Sequence, residues 1–186
     1  MSSTSIWSDT DEQKVFKCNA KAATKQLFSI LLIGNSNWST QLADAMTDYH
    51  ENNHSNKIQV FKANSVKSAL STFSNIYADL IIILLDVRKN DCLVDVEMNL
   101  LSLEPALLCG RTIFVNPRCD IKHKDMGITY ENIDGLKRKY DLVIIHGNIE
   151  DYLSRMFLAR RIMVLAYKIN HNGIPNIINF SSVHNM

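Results

Sequence analysis

Apolar residues fall into short uninterrupted runs, separated by stretches in which they recur at helical spacing. Phe28–Ile33 is the first run, and it ends at Gly34. A run of this length predicts a strand, and a glycine after it predicts a tight turn into a helix. Leu42, Ala43, Ala45, Met46 and Tyr49 place that helix over about 38–49, with Ser39 or Asn37 as its N-cap. Asn-rich residues 52–56 end it. Ile58, Val60 and Ala63 predict a second strand, and 65–73 a short helix. Residues 78–86 (ADLIIILLD) form the strongest strand, and their unbroken apolarity predicts a central strand covered on both faces.

Further on, 92–103 reads as a helix with Leu93, Val96, Leu100 and Leu103 on one side, stopping at Pro105. Residues 112–115 predict a buried strand, 130–139 a polar helix and 142–145 the last strand. A long helix over about 150–168 has apolar residues on more than one face, with Gly173 and Pro175 as its stop. Strands alternating with helices imply a doubly wound, mostly parallel sheet with helices on both faces.

Composition adds bounds. The 186 residues suit one α/β domain, 26–186, behind a polar tail over 1–25 that is expected to be disordered and to carry a docking segment or phosphorylation sites. With 20 basic and 19 acidic residues the net charge is +1, so no global field points to nucleic acid or an anionic membrane. Cys18, Cys92, Cys109 and Cys119 form no C-x-x-C pair, which argues against structural zinc and suits reduced intracellular thiols. No apolar run is long enough for a signal or a span. A soluble intracellular protein is expected.

Candidate chemistry is then tested at the carboxyl ends of the strands, where such sheets bind ligands. A P-loop reads G-x-x-x-x-G-K-[ST]. Counting from Gly34, Ser39 stands for the second glycine, Thr40 for the lysine and Gln41 for the Ser/Thr. A guanine-reading N-K-x-D is reduced to Asn116, with Pro117 where the lysine belongs, and Asp86 is not followed by the glycine of D-x-x-G. No residues remain to carry phosphoryl transfer, and neither cofactor nor metal is expected. His50-Glu51-Asn52-Asn53-His54 matches H-E-x-x-H, but it lies among turn-forming residues without a third ligand, so it reads as a solvated helix end. The basic clusters at 122–124 and 137–139 read as solvated faces.

What remains is surplus apolar surface: Leu107, Leu108 and Cys109 before a strand, and Ile174, Ile177, Ile178 and Phe180 after the last helix. Two readings stand side by side. The surface binds a protein partner, or the C-terminal segment folds back on the domain.

Taken in order, the pieces resemble the centromere protein M (CENP-M) family. They are Ile30-Leu31-Leu32-Ile33-Gly34, Gln41-Leu42-Ala43-Asp44-Ala45-Met46, Asp79-Leu80-Ile81-Ile82-Ile83, Leu107-Leu108-Cys109-Gly110 and Gly173-Ile174-Pro175. The similarity runs in register from about 28 to about 183. It implies a small-GTPase (Ras-like, P-loop NTPase-type) fold that has lost nucleotide binding. It implies a structural subunit of the inner kinetochore in the nucleus, supporting kinetochore assembly and chromosome segregation. The resemblance also implies direct binding of centromere protein I, with centromere proteins H and K in one complex, no small-molecule ligand or membrane, and at most indirect contact with DNA. By position it puts Cys109, beside Leu108, and Phe180, near Ile177 and Ile178, against the partner. Cys109 stands where a relative has a larger aliphatic residue, and the longer N-terminal tail and the polar insertion at about 50–57 are departures. The alternative is a divergent active small GTPase or nucleotide-binding regulator.

Overall fold

The computed structural model describes residues 27–53, 57–73 and 77–172. Five strands make one sheet: β1 Leu27–Ile33, β2 Lys57–Ala63, β3 Leu80–Leu84, β4 Thr112–Asn116 and β5 Val143–His146. Their order is β2-β1-β3-β4-β5, and every pairing is parallel. The helices are α1 Ser36–Asn53, α2 Val66–Thr72, α3 Cys92–Leu101, α4 Pro105–Leu108, α5 Tyr130–Tyr140 and α6 Tyr152–Asn172.

Strand patterns follow from position in the sheet. β3 and β4 are buried at every residue, as central parallel strands covered on both sides must be. β2 alternates between exposed and half-buried, as an edge strand does. Alternate side chains of the central strands feed two cores. Ile30, Leu32, Leu80, Ile82 and Val115 pack with α1 and α6. Leu31, Ile33, Ile81, Ile83 and Phe114 pack with α2, α3 and α5. Each such Ile or Leu contributes roughly 1.5–3 kcal/mol of transfer free energy. The fold is a doubly wound α/β fold of the Ras-like kind.

Local polar groups fix the ends. At the foot of the sheet Ser29 N donates to Asp79 Oδ2 (2.9 Å), and Asp79 N donates to Ser29 O (2.8 Å). Capping boxes start α2 (Ser65 with Ser68) and α5 (Thr129 with Asn132), and Asp141 ends α5 in the left-handed region at φ 48°.

Several boundaries differ from the sequence expectation. α1 begins at Ser36, because Asn35 Oδ1 accepts from Asn37 N (3.0 Å) and Trp38 N (3.4 Å), so Asn35 is the cap rather than Ser39 or Asn37. Pro105 does not merely stop α3, since it opens α4 from the first turn, where its missing N–H costs nothing. α6 continues past Lys168 to Asn172. The 1–25 tail, and Gly173, Ile174, Pro175, Ile177, Ile178 and Phe180, lie outside the described residues.

Candidate functional site

The strand order reverses between β1 and β3, so the ligand crevice of such a fold lies above Gly34 and Leu84. A cleft of about 390 Å³ opens there, lined by Gly34, Asn64, Ser65, Lys67, Asp86 and Asn99 among others. A second, of about 290 Å³, lies between Gly34, Ser39, Thr40 and Lys62.

A phosphate-cradling loop needs several residues between strand and helix, with free N–H groups pointing inward. Here only Gly34 and Asn35 separate β1 from α1. The first free N–H groups of the helix are taken by the Asn35 side chain. Ser39 is buried and donates Oγ to Asn35 O (2.8 Å). Thr40 Oγ1 accepts from Lys62 Nζ (3.2 Å), and Gln41 Oε1 accepts from Arg155 Nη1 (3.0 Å). The positions that correspond to the phosphate-binding residues are thus helical and tied to β2 and α6. Gly34 itself has a different reason: at φ 142° its missing Cβ would stand 2.8 Å from Leu84 Cβ.

The loops after β4 and β5 close on each other. Gly147 N donates to Asn116 O (3.0 Å), Cys119 N to Gly147 O (3.2 Å) and Ile149 N to Pro117 O (2.8 Å), with Arg118 and Asn148 forming an antiparallel bridge. Buried Asn116 does not aim at a base. Its Oδ1 accepts from Arg118 N (3.1 Å), and its Nδ2 lies 3.5 Å from His146 Nδ1. Burial, then the charges of Arg161 and Lys137, lowers the pKa of His146 and favours the neutral ring.

Two arginines of this crest are paired internally. Arg118 binds Asp120 (2.9 Å) and Glu150 (2.8 Å), and Arg88 binds both oxygens of Asp86 while stacking over the ring of buried Trp38. Burial pushes the Asp86 carboxyl up, but its bonds and Coulomb attraction to Arg88 outweigh that and hold it below its ordinary value. The hydrogen bonds from Arg118 hold Asp120 low as well.

The start of the H-E-x-x-H stretch is not solvated. His50 is buried, with Nδ1 2.6 Å from Tyr167 Oη on α6. Glu51 is exposed and His54 lies outside the described residues. Among the described residues no His, Cys, Asp and Glu converge as a metal-ligand group, and no helix is long and apolar enough to cross a membrane.

The apolar positions separate. Leu107 is fully buried in the core under α3, a correction to its expected place at a partner surface, while Leu108 is half-buried and Cys109 exposed. Two apolar stripes are exposed, one on the long helix expected to be apolar on more than one face and one, on α3, that the sequence reading did not assign. α6 turns Leu153 (76% exposed), Phe157 (58%) and Val164 (37%) away from its core face, and α3 does the same with Val94, Met98 and Leu101. The available signal was apolar spacing out of phase with each helix's buried residues.

No curated protein matches the chain. A family model described as Centromere protein M (CENP-M) matches residues 13–183, nearly the whole chain and every element above. The chain therefore belongs to the centromere protein M (CENP-M) family, and with it to the proteins of the centromere and kinetochore.

Proposed function

We propose that this protein is a pseudo-GTPase: a Ras-like scaffold that neither binds nor hydrolyses nucleotide and serves as a structural subunit of the inner kinetochore, in the constitutive centromere-associated network. One observation carries the proposal. The crest that would bind nucleotide is satisfied by the chain's own side chains, with the β1–α1 link reduced to Gly34 and Asn35 and capped from within. Phosphoryl transfer is electrostatic stabilisation of charge on transferring oxygens. The chain offers no lysine at the phosphate position, and the amides of Asn37 and Trp38 there are taken by the Asn35 side chain.

The surface left for work is apolar. Leu153, Phe157 and Val164 on α6 and Cys109 beside Leu108 are exposed or partly so, and such side chains serve protein interfaces. The partner is centromere protein I, held with centromere proteins H and K, in the nucleus during chromosome segregation. We assign Phe180, with Ile177 and Ile178 nearby, and Ile174 to the same contact. Capture of the full chain from nuclear extract, scored for H, I and K, tests this. Phe180→Asp buries an unpaired charge in the contact and should lower recovery of I by tenfold or more, about 1.4 kcal/mol. Full recovery of I with Phe180→Asp and with Phe157→Asp would remove this interface from the account.

A further inference from the structure

We propose, resting on the interaction-subunit reading above, that the outer face of α6 receives a partner helix that is apolar along one side and acidic at its borders. Leu153, Phe157 and Val164 are exposed on this face, opposite buried Ala159, Ile162 and Ala166. At 3.6 residues per turn the three exposed side chains lie within about 40° of one another and span roughly 16 Å, or about three turns.

Charge frames this stripe on both sides. From Tyr152 to Asn172 the helix contains no acid. Arg160 stands on one border of the stripe and Arg161 on the other, and exposed Lys168 extends the Arg161 border. Arg155 is tied down by Gln41 Oε1 (3.0 Å) and Ile149 O (2.7 Å). Arg160 and Arg161, by contrast, form no ion pair among the described residues. The neighbouring α1 exposes Asp44, Asp48 and Glu51, and none of these pairs with either arginine. Two guanidinium groups beside Leu, Phe and Val call for carboxylates on the occupant, since their planar fork matches a carboxylate and their stems pack on apolar surface.

The shape of the stripe selects a helix. Side chains spaced by four and seven residues make a ridge, and a ridge seats in the groove of a second helix. Nucleic acid or an anionic bilayer would need a denser basic cluster than two arginines and a lysine. A second copy docking through the same face would bring Arg160 and Arg161 against their counterparts near the two-fold axis, because they lie close to the middle of the stripe. An acidic amphipathic helix satisfies both the apolar ridge and its borders.

Photo-cross-linking of the full chain assembled with centromere proteins H, I and K tests this, with Phe157 replaced by p-benzoylphenylalanine. The expected product joins position 157 to a partner helix of three to four turns with Asp or Glu on both borders of its apolar side. Arg160→Glu/Arg161→Glu should lower affinity for the partner about tenfold or more, because like charges would then face each other. Lysines in place of the cross-linked partner's acids should restore it. Both arginines lie at the surface, so the urea midpoint of the double variant should stay at the wild-type value. A complex that forms but cross-links through a neutral or basic segment, or that tolerates Arg160→Glu/Arg161→Glu, would overturn this inference and leave the interaction-subunit reading standing. Cross-links to a second copy of this chain, to DNA or to lipid would overturn it as well. Failure of the wild-type chain to assemble at all would overturn both.

Discussion

Gly34 occupies the first position of the would-be phosphate loop, and replacing it with alanine separates two explanations for it. If the glycine served phosphate, Gly34→Ala would leave the stability of the free protein nearly untouched. The structure gives another reason. The residue sits at φ 142°, where an L side chain is strained by about 1–3 kcal/mol. The new Cβ would also stand 2.8 Å from Leu84 Cβ and 3.3 Å from Leu84 O. Both are fixed by β3, so the overpacking adds about 1–3 kcal/mol. Loss of glycine freedom in the unfolded chain offsets about 0.4–1 kcal/mol. The net destabilisation is about 3 kcal/mol, which for a chain of this size lowers Tm by about 6–12 °C. Urea and thermal unfolding followed by circular dichroism measure it directly. Leu84→Ala keeps the clashing Cβ, so the cost of Gly34→Ala should persist in that background. A Gly34→Ala protein melting within about 2 °C of wild type would refute the steric reasoning.

Leu107→Ala should cost about 2–5 kcal/mol in urea unfolding because the side chain is fully buried, while Cys109→Ser at the exposed neighbour should cost less than about 0.5 kcal/mol. Arg118→Ala releases Asp120 and Glu150. These partners are well exposed, so the loss at neutral pH should be below about 1 kcal/mol and should shrink with salt. Asp86 and Asp120 have folded pKa values below the unfolded carboxylate's, so their contribution is present above about pH 4 and is lost as pH falls through the folded values. The stability gap between Arg118→Ala and wild type should therefore narrow in acid, as urea midpoints across pH would show. Burial, then the nearby charges of Asp86 and Asp95, pushes the Cys92 thiol up to about 12. Maleimide labelling of the native protein should modify Cys109 and Cys119 and spare Cys92 until urea unfolds the chain.

The sheet was legible because Leu80–Leu84 and the middle of β4, Ile113, Phe114 and Val115, are buried on both faces and so carry no polar residue that could mislead. The start of α1 was harder to read. Measuring Gly34 to Gln41 against a phosphate loop delays the helix, whereas Asn35 is itself a good cap and its side chain starts the helix at once. His50 looked solvated because its neighbours in sequence are polar. Its true neighbour is Tyr167, on a helix that local spacing cannot place. Leu107 and Leu108 are adjacent and chemically alike, and only the packing of α4 under α3 decides which one is core. The pairing of Arg118 with Glu150 joins loops after two different strands, so no motif announces it. The departures from the nucleotide motifs, by contrast, were readable from residue types alone, and helix α1 begins where a phosphate loop would stand.

The central claim is that this Ras-like protein works without nucleotide. Isothermal titration of the purified full chain with GTP in excess Mg²⁺ addresses it most directly. The account predicts no binding heat at millimolar nucleotide, a free energy weaker than about −4 kcal/mol. Saturable binding at micromolar or lower Kd, about −8 kcal/mol or stronger, would contradict it.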